Sequence, residues 1–547
     1  MKKTLLLLAI LINTGFMFAQ KELSKDYSYT ASNPYKVFDA DNKLYFYRDG
    51  EIMTVKIDKK EILIQKLNSA GDKPSFIAEK LYESKELFPK NYQLEEVEEY
   101  GDKYYFFFSS WDGDNEKEQL FYREIDFKKG EFVGENKLMF QVEGKIAGSP
   151  TAILYIGMFA PGISIGVQDK FDFLISADKQ KMLIEYRKKP LVKSDKKSYD
   201  IIGVNAYDSN LNPVWNNELT MPYTERRMNL LDYSIDKEAN AYLLVKVFHD
   251  DSNDDKKHRK DTEANYHVEL FRVKAGTTDI DITKIDVNDK FINRLWLYES
   301  PDDYMVCAGF YNKGKVLDNV GGIMVFKVKK DGGLYDKSTH EIPLEILNEH
   351  VSNRAKKKNN KADEKGGAEF NNLVLDKLQI DTDGSLVLLG EQYFYENHPM
   401  SKSNYVSYHY YDVLVTKIDP SGKLAWMKKL PKRQIGTRGR GGMSYKHFYA
   451  NNNHYVVYLD NVKNFNLPVD ETPSTHSDGQ GGYFTSYKIN DATGEAVSSS
   501  IFNVRDMEDM TIYQFSVKRI LQTGDDEFAL EVYKKKKEDV MIKIKML

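Results

Sequence analysis

Short apolar runs alternate along the chain with turns that are rich in Asp, Asn and Gly. The segment DVLVTKIDPSGKLAWMKKL, Asp412 to Leu430, shows the arrangement: an apolar run reaches a turn at Pro420-Ser421-Gly422, and a second run continues toward a tryptophan. Proline presets the φ angle that such turns need, and glycine tolerates the positive φ angles. Two apolar runs joined in this way indicate a β-hairpin.

The same arrangement recurs along the whole chain. A turn residue precedes an apolar run in eight places, about 60 to 80 residues apart: Asp41, Asp102, Asp169, Lys237, Asp302, Asp383, Asn452 and Asp525. This interval is longer than the roughly 40–50 residues of familiar blade repeats, but it accommodates a four-stranded unit with long loops. We interpret each copy as one unit of a repeated structure.

The apolar runs are typical of strands. In EFALEVY, residues 527–533, large apolar residues alternate with Ala529 and Glu531, which predicts a strand that is buried mainly on one face. The runs SLVLLG and DVLVTKI carry apolar residues on both faces, as expected in a sheet that is covered on both sides. Gln93 to Tyr100 contains helix formers but occupies a position that reads as a strand in other copies. The chain therefore has the pattern of an all-β protein.

Repeated four-stranded antiparallel sheets, covered on both faces, predict a single β-propeller over residues 20–547. Seven or eight blades fit the pattern, and the eight copies favour eight. The chain ends after what reads as a third strand, so we expect an early segment, Lys25 to Ser32, to supply the fourth strand and close the ring. Two sandwich domains in tandem are the alternative.

The longest interval between copies contains a charged segment that is poor in apolar residues. It has the sequence NRAKKKNNKADEKGGAEFNN and covers residues 353–372. A segment of this composition buries little apolar surface, which is typical of a flexible loop. We therefore predict a flexible charged insertion within the propeller.

The amino terminus is typical of an export signal. Lys2 and Lys3 precede an apolar stretch from Leu5 to Ile12, and the small residue Ala19 is suitable for cleavage. We predict a signal peptide over residues 1–19 and a mature protein that is periplasmic or secreted. No later stretch approaches the roughly 20 apolar residues that cross a bilayer, so no transmembrane segment is expected.

Charge and cysteine content narrow the function further. The 547 residues have a formal net charge of −5, so no overall positive field attracts nucleic acid, and we expect no nucleic-acid partner. Cys307 is the only cysteine, which excludes an internal disulfide. Its setting, YMVCAGF, predicts an unreactive thiol in a buried strand.

The turn in KIDPSGKLAW resembles the Asp…Gly…Trp turn of secreted bacterial β-propellers of the quinoprotein-like class. KINDATGEA, Lys488 to Ala496, resembles the same turn without its tryptophan. The resemblance implies that Trp215 and Trp426 dock between neighbouring blades. The resemblance covers the repeat architecture and transfers no cofactor or catalytic residue. Many quinoprotein alcohol dehydrogenases place their quinone over a disulfide between adjacent cysteines, and a chain with one cysteine cannot form it.

The loop GTRGRGGMSYKHFY, Gly436 to Tyr449, is a candidate anion site. Glycines let backbone N–H groups approach an anion, and Arg438 and Arg440 can clamp a carboxylate, sulfate or phosphate. Lys446 and His447 follow in the same segment. We predict an anion-binding site at these four side chains; the alternative is an ordinary flexible surface loop.

A second segment, SWDGDNEKE, is a candidate metal site. It places Asp112, Asp114 and Glu116 at alternate positions, a spacing that can converge on Ca²⁺. The glycine and the bidentate glutamate of an EF-hand are missing, so the alternative is a solvated hairpin tip. Apart from this calcium hypothesis, no cofactor is predicted.

These observations favour an exported, non-enzymatic propeller that binds a protein, peptide or glycan of the cell envelope through its loop rims. The sequence lacks nucleophile-elbow, His-Glu-x-x-His and metal-spaced Cys/His motifs. A propeller enzyme acting on glycans or another anionic polymer is the first alternative. A structural subunit of an envelope complex is the second.

Overall fold

The most regular strands are apolar and buried along both faces. In the strand Tyr304–Asn312, YMVCAGFYN, every residue is buried, and Ala241–Phe248 shows the same pattern. Each face of such a strand is removed from water only when another layer packs against it. Cys307 lies in the first of these strands with 0% exposure, and burial raises the pKa of its thiol. Its predicted burial is confirmed.

The computed structural model describes residues 23–150, 170–190, 192–258, 260–287, 290–399, 405–507 and 510–547. The signal peptide predicted over residues 1–19 lies outside them. The chain forms a β-propeller of eight antiparallel blades, which confirms the predicted fold class and the preferred blade number. Among the residues described, no helix has the length and apolar character to cross a membrane.

The blades are numbered in chain order, and the strands of each are given from its inner to its outer edge. Blade 1 contains β3 (Asn42–Arg48), β4 (Glu51–Ile57), β5 (Glu61–Asn68) and β6 (Ser75–Glu83). Blade 2 contains β7 (Gln93–Tyr100), β8 (Lys103–Asp112), β9 (Lys117–Asp126) and β10 (Glu131–Glu143). Blade 3 contains β11 (Ile146–Gly148) with β12 (Asp172–Ile175), β13 (Lys181–Lys188), β14 (Tyr199–Asp208) and β15 (Pro213–Thr224). Blade 4 contains β16 (Met228–Ile235), β17 (Ala241–Phe248), β18 (Tyr266–Val273) and β19 (Ile280–Ile285).

The remaining blades follow the same order. Blade 5 contains β20 (Phe291–Glu299), β21 (Tyr304–Asn312), β22 (Gly322–Lys329) and β23 (Leu334–Glu341). Blade 6 contains β24 (Leu373–Ile380), β25 (Leu386–His398), β26 (Tyr405–Ile418) and β27 (Leu424–Leu430), with β28 (Gln434–Gly436) and β31 (His476–Ser477) attached. Blade 7 contains β29 (Lys446–Ala450), β30 (Asn453–Asp460), β32 (Tyr483–Asn490) and β33 (Ala496–Asn503). Blade 8 contains β34 (Ile512–Gln514) with β35 (Ile520–Gln522), β36 (Glu527–Lys534), β37 (Glu538–Met546) and β1 (Tyr27–Ala31), with β2 (Tyr35–Lys36) beside β37.

The outer strand of blade 8 comes from the start of the chain. β1 pairs antiparallel with β37, from Tyr27 opposite Met546 to Ala31 opposite Ile542. This pairing gives the last blade its fourth strand and covers an edge that would otherwise present unpaired backbone groups. The prediction that Lys25 to Ser32 supplies this strand is confirmed.

Buried charges join blade 8 to blade 1. Lys56 in β4 lies 2.5 Å from Glu531 in β36 and 3.6 Å from Asp539 in β37, and all three side chains are 0% exposed. The expectation that β36 is buried mainly on one face is therefore wrong, since the face that carries Glu531 packs against blade 1. A buried carboxylate is tolerated there because the lysine neutralises it.

The hydrophobic core lies between the blades, and two tryptophans bridge them. The indole N–H of Trp215 in blade 3 donates to the carbonyl of Ala239 in blade 4 at 2.7 Å. That of Trp426 in blade 6 donates to the carbonyl of Asp491 in blade 7 at 2.8 Å. Docking between neighbouring blades, which the resemblance implies, is confirmed at both positions. At Gly494 a Cβ atom would lie 2.6 Å from the indole of Trp426, so the tryptophan-free turn receives the neighbouring ring.

The helices within the described residues are short. They are α1 (Ser84–Leu87), α2 (Leu344–Asn348) and α3 (Asn353–Asp363), with 3-10 turns at Val462–Asn464 and Val517–Arg519. Helix α3 falls within residues 353–372, so the predicted charged insertion is not an irregular loop throughout. Lysine and alanine are good helix formers, and the Ser352 hydroxyl caps the helix by accepting from the N–H of Ala355 at 3.3 Å.

Strands β25 and β26 continue beyond the body of blade 6. They have 13 and 14 residues, and their pairing extends from Tyr393 opposite Tyr410 to His398 opposite Tyr405. We call residues 393–398 and 405–411 the arm. It rises from the rim of the propeller at which the inner strands begin, because β25 runs antiparallel to the inner strand β24.

We expect Trp426→Ala to destabilise the protein by about 3–5 kcal/mol, because it removes a buried aromatic ring and its inter-blade hydrogen bond. Trp111→Ala is the matched control, since that ring is only half-buried at the end of β8. Differential scanning calorimetry of both variants measures the effect. An equal, small change in Tm for the two variants would contradict the inter-blade role.

Candidate anion-binding site

Four lysines line one cavity at the inner edges of consecutive blades. They are Lys43 in β3 of blade 1, Lys377 in β24 of blade 6, Lys446 in β29 of blade 7 and Lys518 just before β35 of blade 8. We call them the lysine cluster. The cavity has a volume of about 600 Å³, within the usual range of ligand sites, and no described Asp or Glu lines it.

Most of this charge is not neutralised by the protein. Lys43 lies 3.4 Å from Asp539. In the part of the chain that the structure describes, the other three lysines have no carboxylate within 4.0 Å. The ammonium of Lys377 donates a long hydrogen bond of 3.5 Å to the carbonyl of His447. The cluster is therefore a patch of positive charge in which Lys43 has a carboxylate partner and the charge of Asp376 offsets part of that on Lys377 and Lys446.

The lowered pKa values of the lysines show that their positive charges are unfavourable in this cavity. Burial and, to a smaller extent, the charge of Lys446 lower the pKa of Lys377 to about 8, against the opposing charge of Asp376. Burial also lowers the pKa of Lys446, and burial together with the charge of Arg440 lowers that of Lys518. Strained charges of this kind concentrate at functional sites, because a ligand of opposite charge relieves them.

The predicted loop stands between two cavities at the rim. Arg438 lines a rim cavity of about 700 Å³ that also includes Lys43 and Lys518 of the lysine cluster. Arg440 lines a different cavity, of about 660 Å³, together with Tyr410 of the arm. The two arginines therefore serve opposite sides of one loop. Residues 437–445 connect β28 of blade 6 to β29 of blade 7, which places the loop over the inner strands.

A buried polar network fixes this loop. The hydroxyl of Ser444 donates to Glu391 at 2.7 Å, and Glu391 lies 2.8 Å from Lys432. The backbone N–H of Ser444 donates to the side-chain oxygen of Gln434 at 2.8 Å, and Met443 is 0% exposed. Buried groups thus hold the carboxyl-terminal end of the loop against β28 and the body of blade 6.

The rim cavity extends the positive surface of the lysine cluster. Its basic lining consists of Lys43, Arg438, Arg505, Lys518 and Arg519, and its acidic lining consists of Asp41 and Asp478. Asp478 is engaged, since it accepts the backbone N–H of Gly442 at 2.9 Å. One guanidinium nitrogen of Arg519 is buried and has no hydrogen-bond partner among the described residues. Both cavities together favour an anion.

His447 occupies a different environment from the other predicted residues. It is 4% exposed, and its Nε2 lies 3.1 Å from Nδ1 of His454, whose Nε2 lies 2.9 Å from Asp491. Burial lowers the pKa of His447 well below its usual range, and the charge of Lys377 acts in the same direction. The imidazole is therefore neutral at pH 7 and supplies no charge to an anion.

The predicted metal ligands lie in the turn between β8 and β9. One oxygen of Asp112 accepts the backbone N–H groups of Asp114 and Asn115, and the other accepts the Asn115 amide at 2.8 Å. These bonds lower the pKa of Asp112. No group of three metal-ligating side chains suited to an ion occurs among the described residues. Calcium binding at Asp112, Asp114 and Glu116 stays a prediction.

Other blades carry carboxylates on their inner strands. Burial raises the pKa of Glu98 in β7 of blade 2 to about 7, with a further contribution from Glu96. Burial raises that of Asp232 in β16 of blade 4 to about 7. The inner strands of blades 2 and 4 thus carry acidic groups, and the lysine cluster lies on blades 6, 7, 8 and 1, where Asp376 stands beside Lys377 in β24.

Sequence patterns singled out Arg438, Arg440 and Lys446 as candidates, but not Lys43, Lys377 and Lys518, which line the cavity beside Lys446. The missed lysines are scattered along the chain, and each is a single basic residue within or beside a short inner strand. The signal that could have revealed these lysines is a basic residue within or beside the inner strand in several copies of the repeat. This signal predicts a shared cavity only when the inner strands can be distinguished from the outer ones.

No protein-family model matches this chain, and no curated protein matches it. Solved structures match with low identity. A prolyl endopeptidase has 12% identity and a TM-score of 0.37, with 94% of this chain and 55% of that chain covered. The β-propeller domain of the Trilobed protease from Pyrococcus furiosus has 10% identity and a TM-score of 0.33, with 86% and 98% covered. A polysaccharide lyase has 8% identity and a TM-score of 0.36, with 92% and 90% covered.

The present chain spans about half the length of the prolyl endopeptidase that it matches. Scores this low carry no information about activity or ligand.

We expect Lys377→Met to stabilise the protein at pH 7 and to lose this advantage as the pH rises toward 10. The unfolded lysine holds its proton up to about pH 10.5, whereas folded Lys377 releases it near pH 8. Between these values the unfolded state binds more protons, so the wild-type free energy of unfolding rises with pH, by an upper limit of about 3 kcal/mol.

Urea unfolding at several pH values between about 7 and 10 measures this difference. The control is Lys128→Met, which removes an exposed lysine. A Lys377→Met effect that does not change with pH would show that Lys377 is an ordinary solvated lysine.

Proposed function

We propose that this protein is an exported, non-catalytic β-propeller that binds an anionic ligand at the mouth of its central channel. The observation that carries the proposal is the lysine cluster, because three of its four ammonium groups have no carboxylate within 4.0 Å among the described residues. The ligand is a carboxylate-, sulfate- or phosphate-bearing group of a protein, peptide or glycan in the cell envelope. We also propose that the repeats belong to the Asp-Gly-Trp type that their turns resemble.

Physical arguments favour a ligand over a purely structural role. Like charges that share a partly buried cavity repel one another, and no core contact is gained in return. A bound anion reverses the sign of this interaction and accepts charge-assisted hydrogen bonds, each worth about 1.5–3 kcal/mol. Residues that serve stability alone are arranged differently in this protein: Lys56 and Lys432 are fully paired with carboxylates.

The site is shaped for the end of a ligand or for a small anionic group. The lysine cluster lies on inner strands, and the rim cavity above it is bordered by Arg438 and Arg519. Lys43 and Lys518 line both cavities, so an anion in the rim cavity meets two of the lysines together with the arginines. A funnel of one sign raises the local concentration of the oppositely charged ligand and accelerates its binding.

We expect Lys446→Ala combined with Lys518→Ala to weaken anion binding at least tenfold, because the double variant removes two cations that have no carboxylate within 4.0 Å in the described part of the chain. Isothermal titration calorimetry with sodium sulfate, inorganic phosphate and a tetraglutamate peptide measures the affinity. In the wild-type protein, affinity should fall as sodium chloride rises, because salt screens exposed charges.

The matched control is Lys128→Ala with Lys129→Ala, which removes the same charge from an exposed turn between β9 and β10. Equal losses in the two double variants would show a general charge effect and no site. Conversion of a bound glycan to products by the wild-type protein would replace the binding proposal with the enzyme alternative.

A further inference from the structure

A second cavity at the same rim has a different chemical character. One face of the arm encloses it together with residues of the inner strands β20 and β24. Aromatic residues that line this cavity of about 660 Å³ include Trp296, Tyr393, Tyr395 and Tyr410. Phe394 also borders it, but its ring stacks on His409 on the other face of the arm. We call it the aromatic cleft.

The aromatic rings of the cleft are only partly used by the protein. The rings of Tyr393 and Tyr410 lie 4.8 Å apart and support each other across the arm. Trp296 and Tyr395 are half-buried, and neither stacks on another aromatic ring among the described residues. The guanidinium of Arg294 lies 5.0 Å from the centre of the Trp296 ring. Partly exposed aromatic surface is typical of ligand sites, because a ligand that covers the rings removes this apolar surface from water and so gains free energy of binding.

Polar groups that accept hydrogen bonds surround these rings. Asp318 and Asp376 line the cleft with exposed carboxylates, and Asn293 and Asn372 add side-chain amides. A ligand that matches such a lining has an apolar face for the rings and several hydroxyl donors on its rim. A sugar ring has this combination. A nucleobase also stacks, but it offers fewer donors to carboxylates.

The cleft adjoins the anion site. Arg440 lines the cleft, and its positive charge acts directly on Lys518 of the lysine cluster. On the other side of the same loop, Arg438 lines the rim cavity. One extended ligand can therefore occupy both places, with an acidic group on the lysine cluster and a neighbouring ring in the cleft.

We propose that the aromatic cleft is a sugar subsite, so that the ligand of this protein is an acidic oligosaccharide. The inference rests on the proposed anion-binding function and identifies its ligand class. Trp296 and Tyr395 stack on a sugar ring, while Asp318 and Asp376 accept hydrogen bonds from its hydroxyl groups. The adjoining acidic residue of the glycan binds Lys446 and Lys518.

The test begins with an array of oligosaccharides that contain uronic acids, sialic acid or sulfated hexoses, together with their neutral counterparts. For the best-bound trisaccharide, calorimetry compares its affinity with that of its single acidic sugar and with that of sodium sulfate. We expect the trisaccharide to bind at least tenfold more tightly than the single acidic sugar, because only the trisaccharide reaches the cleft.

The variants Trp296→Ala and Tyr395→Ala should each reduce trisaccharide affinity about tenfold and leave sulfate affinity unchanged. Tyr395→Phe keeps the ring and should retain affinity within about twofold. Tyr405→Ala is the matched control on the arm, since Tyr405 is exposed at the tip and does not line the cleft. In wild type, trisaccharide binding should also change tryptophan fluorescence, and Trp296→Phe should abolish that change.

The result that overturns the inference is wild-type trisaccharide affinity in Trp296→Ala and Tyr395→Ala, whose retained sulfate binding shows that they are folded. Sulfate binding that survives in that case leaves the proposed anion function intact. If Lys446→Ala/Lys518→Ala loses sulfate binding while trisaccharide affinity does not depend on Trp296 or Tyr395, the anion site is supported and the sugar subsite is refuted. Stronger, cleft-dependent binding of adenosine diphosphate or tetraglutamate than of any glycan would also refute the sugar assignment.

Discussion

Pairing of β1 with β37 is the interaction on which the rest of this structure depends. Eight sheets that are apolar on both faces bury those faces only when each has two neighbours, and a ring provides this arrangement without end blades. The strand that completes blade 8 comes from the beginning of the chain. Closure brings Lys43 of blade 1 and Lys518 of blade 8, from opposite ends of the sequence, into one cavity. The candidate site is therefore a consequence of closure.

Buried charge has two distinct uses in this molecule. At the junction of blades 8 and 1, and beneath the loop of residues 437–445, lysines are paired with carboxylates at 2.5 Å and 2.8 Å. These pairs hold blades and loops in place, and removal of one partner would leave an uncompensated charge. At the lysine cluster, Lys377, Lys446 and Lys518 have no carboxylate within 4.0 Å among the described residues, and burial lowers their pKa values. The contrast separates structural ion pairs from a surface suited to a ligand.

The parts of the fold that the sequence predicts are those in which burial leaves a strong pattern. Second and third strands of the blades are covered on both faces, so β17 and β21 read as continuous apolar runs. Most of the turn residues that mark the repeats, such as Asp302 and Asp525, precede the second strand of a blade and not the first. The repeat was thus visible, but its register within the blade was not.

Inner and outer strands were harder to identify because one edge of each meets solvent or the channel, which mixes polar residues into the pattern. Lys377 and Lys446 lie on such strands, and their convergence depends on contacts between blades that no local pattern encodes. Glu531 shows the same limit, since its burial follows from pairing with Lys56 far away in the chain. The arm was missed because its length depends on how far the pairing of β25 and β26 continues.

A disulfide trap across the closing strands tests ring closure most directly. Ser28 and Lys545 are opposite each other in the β1–β37 pair, both are exposed, and the native Cys307 is buried. Ser28→Cys with Lys545→Cys should form an intramolecular disulfide under mild oxidation, seen by peptide mass mapping, and should raise the Tm. Ser28→Cys with Glu538→Cys, far along the same strand, should stay reduced. Free thiols in the folded Ser28→Cys/Lys545→Cys protein would contradict the closed ring and the site built on it.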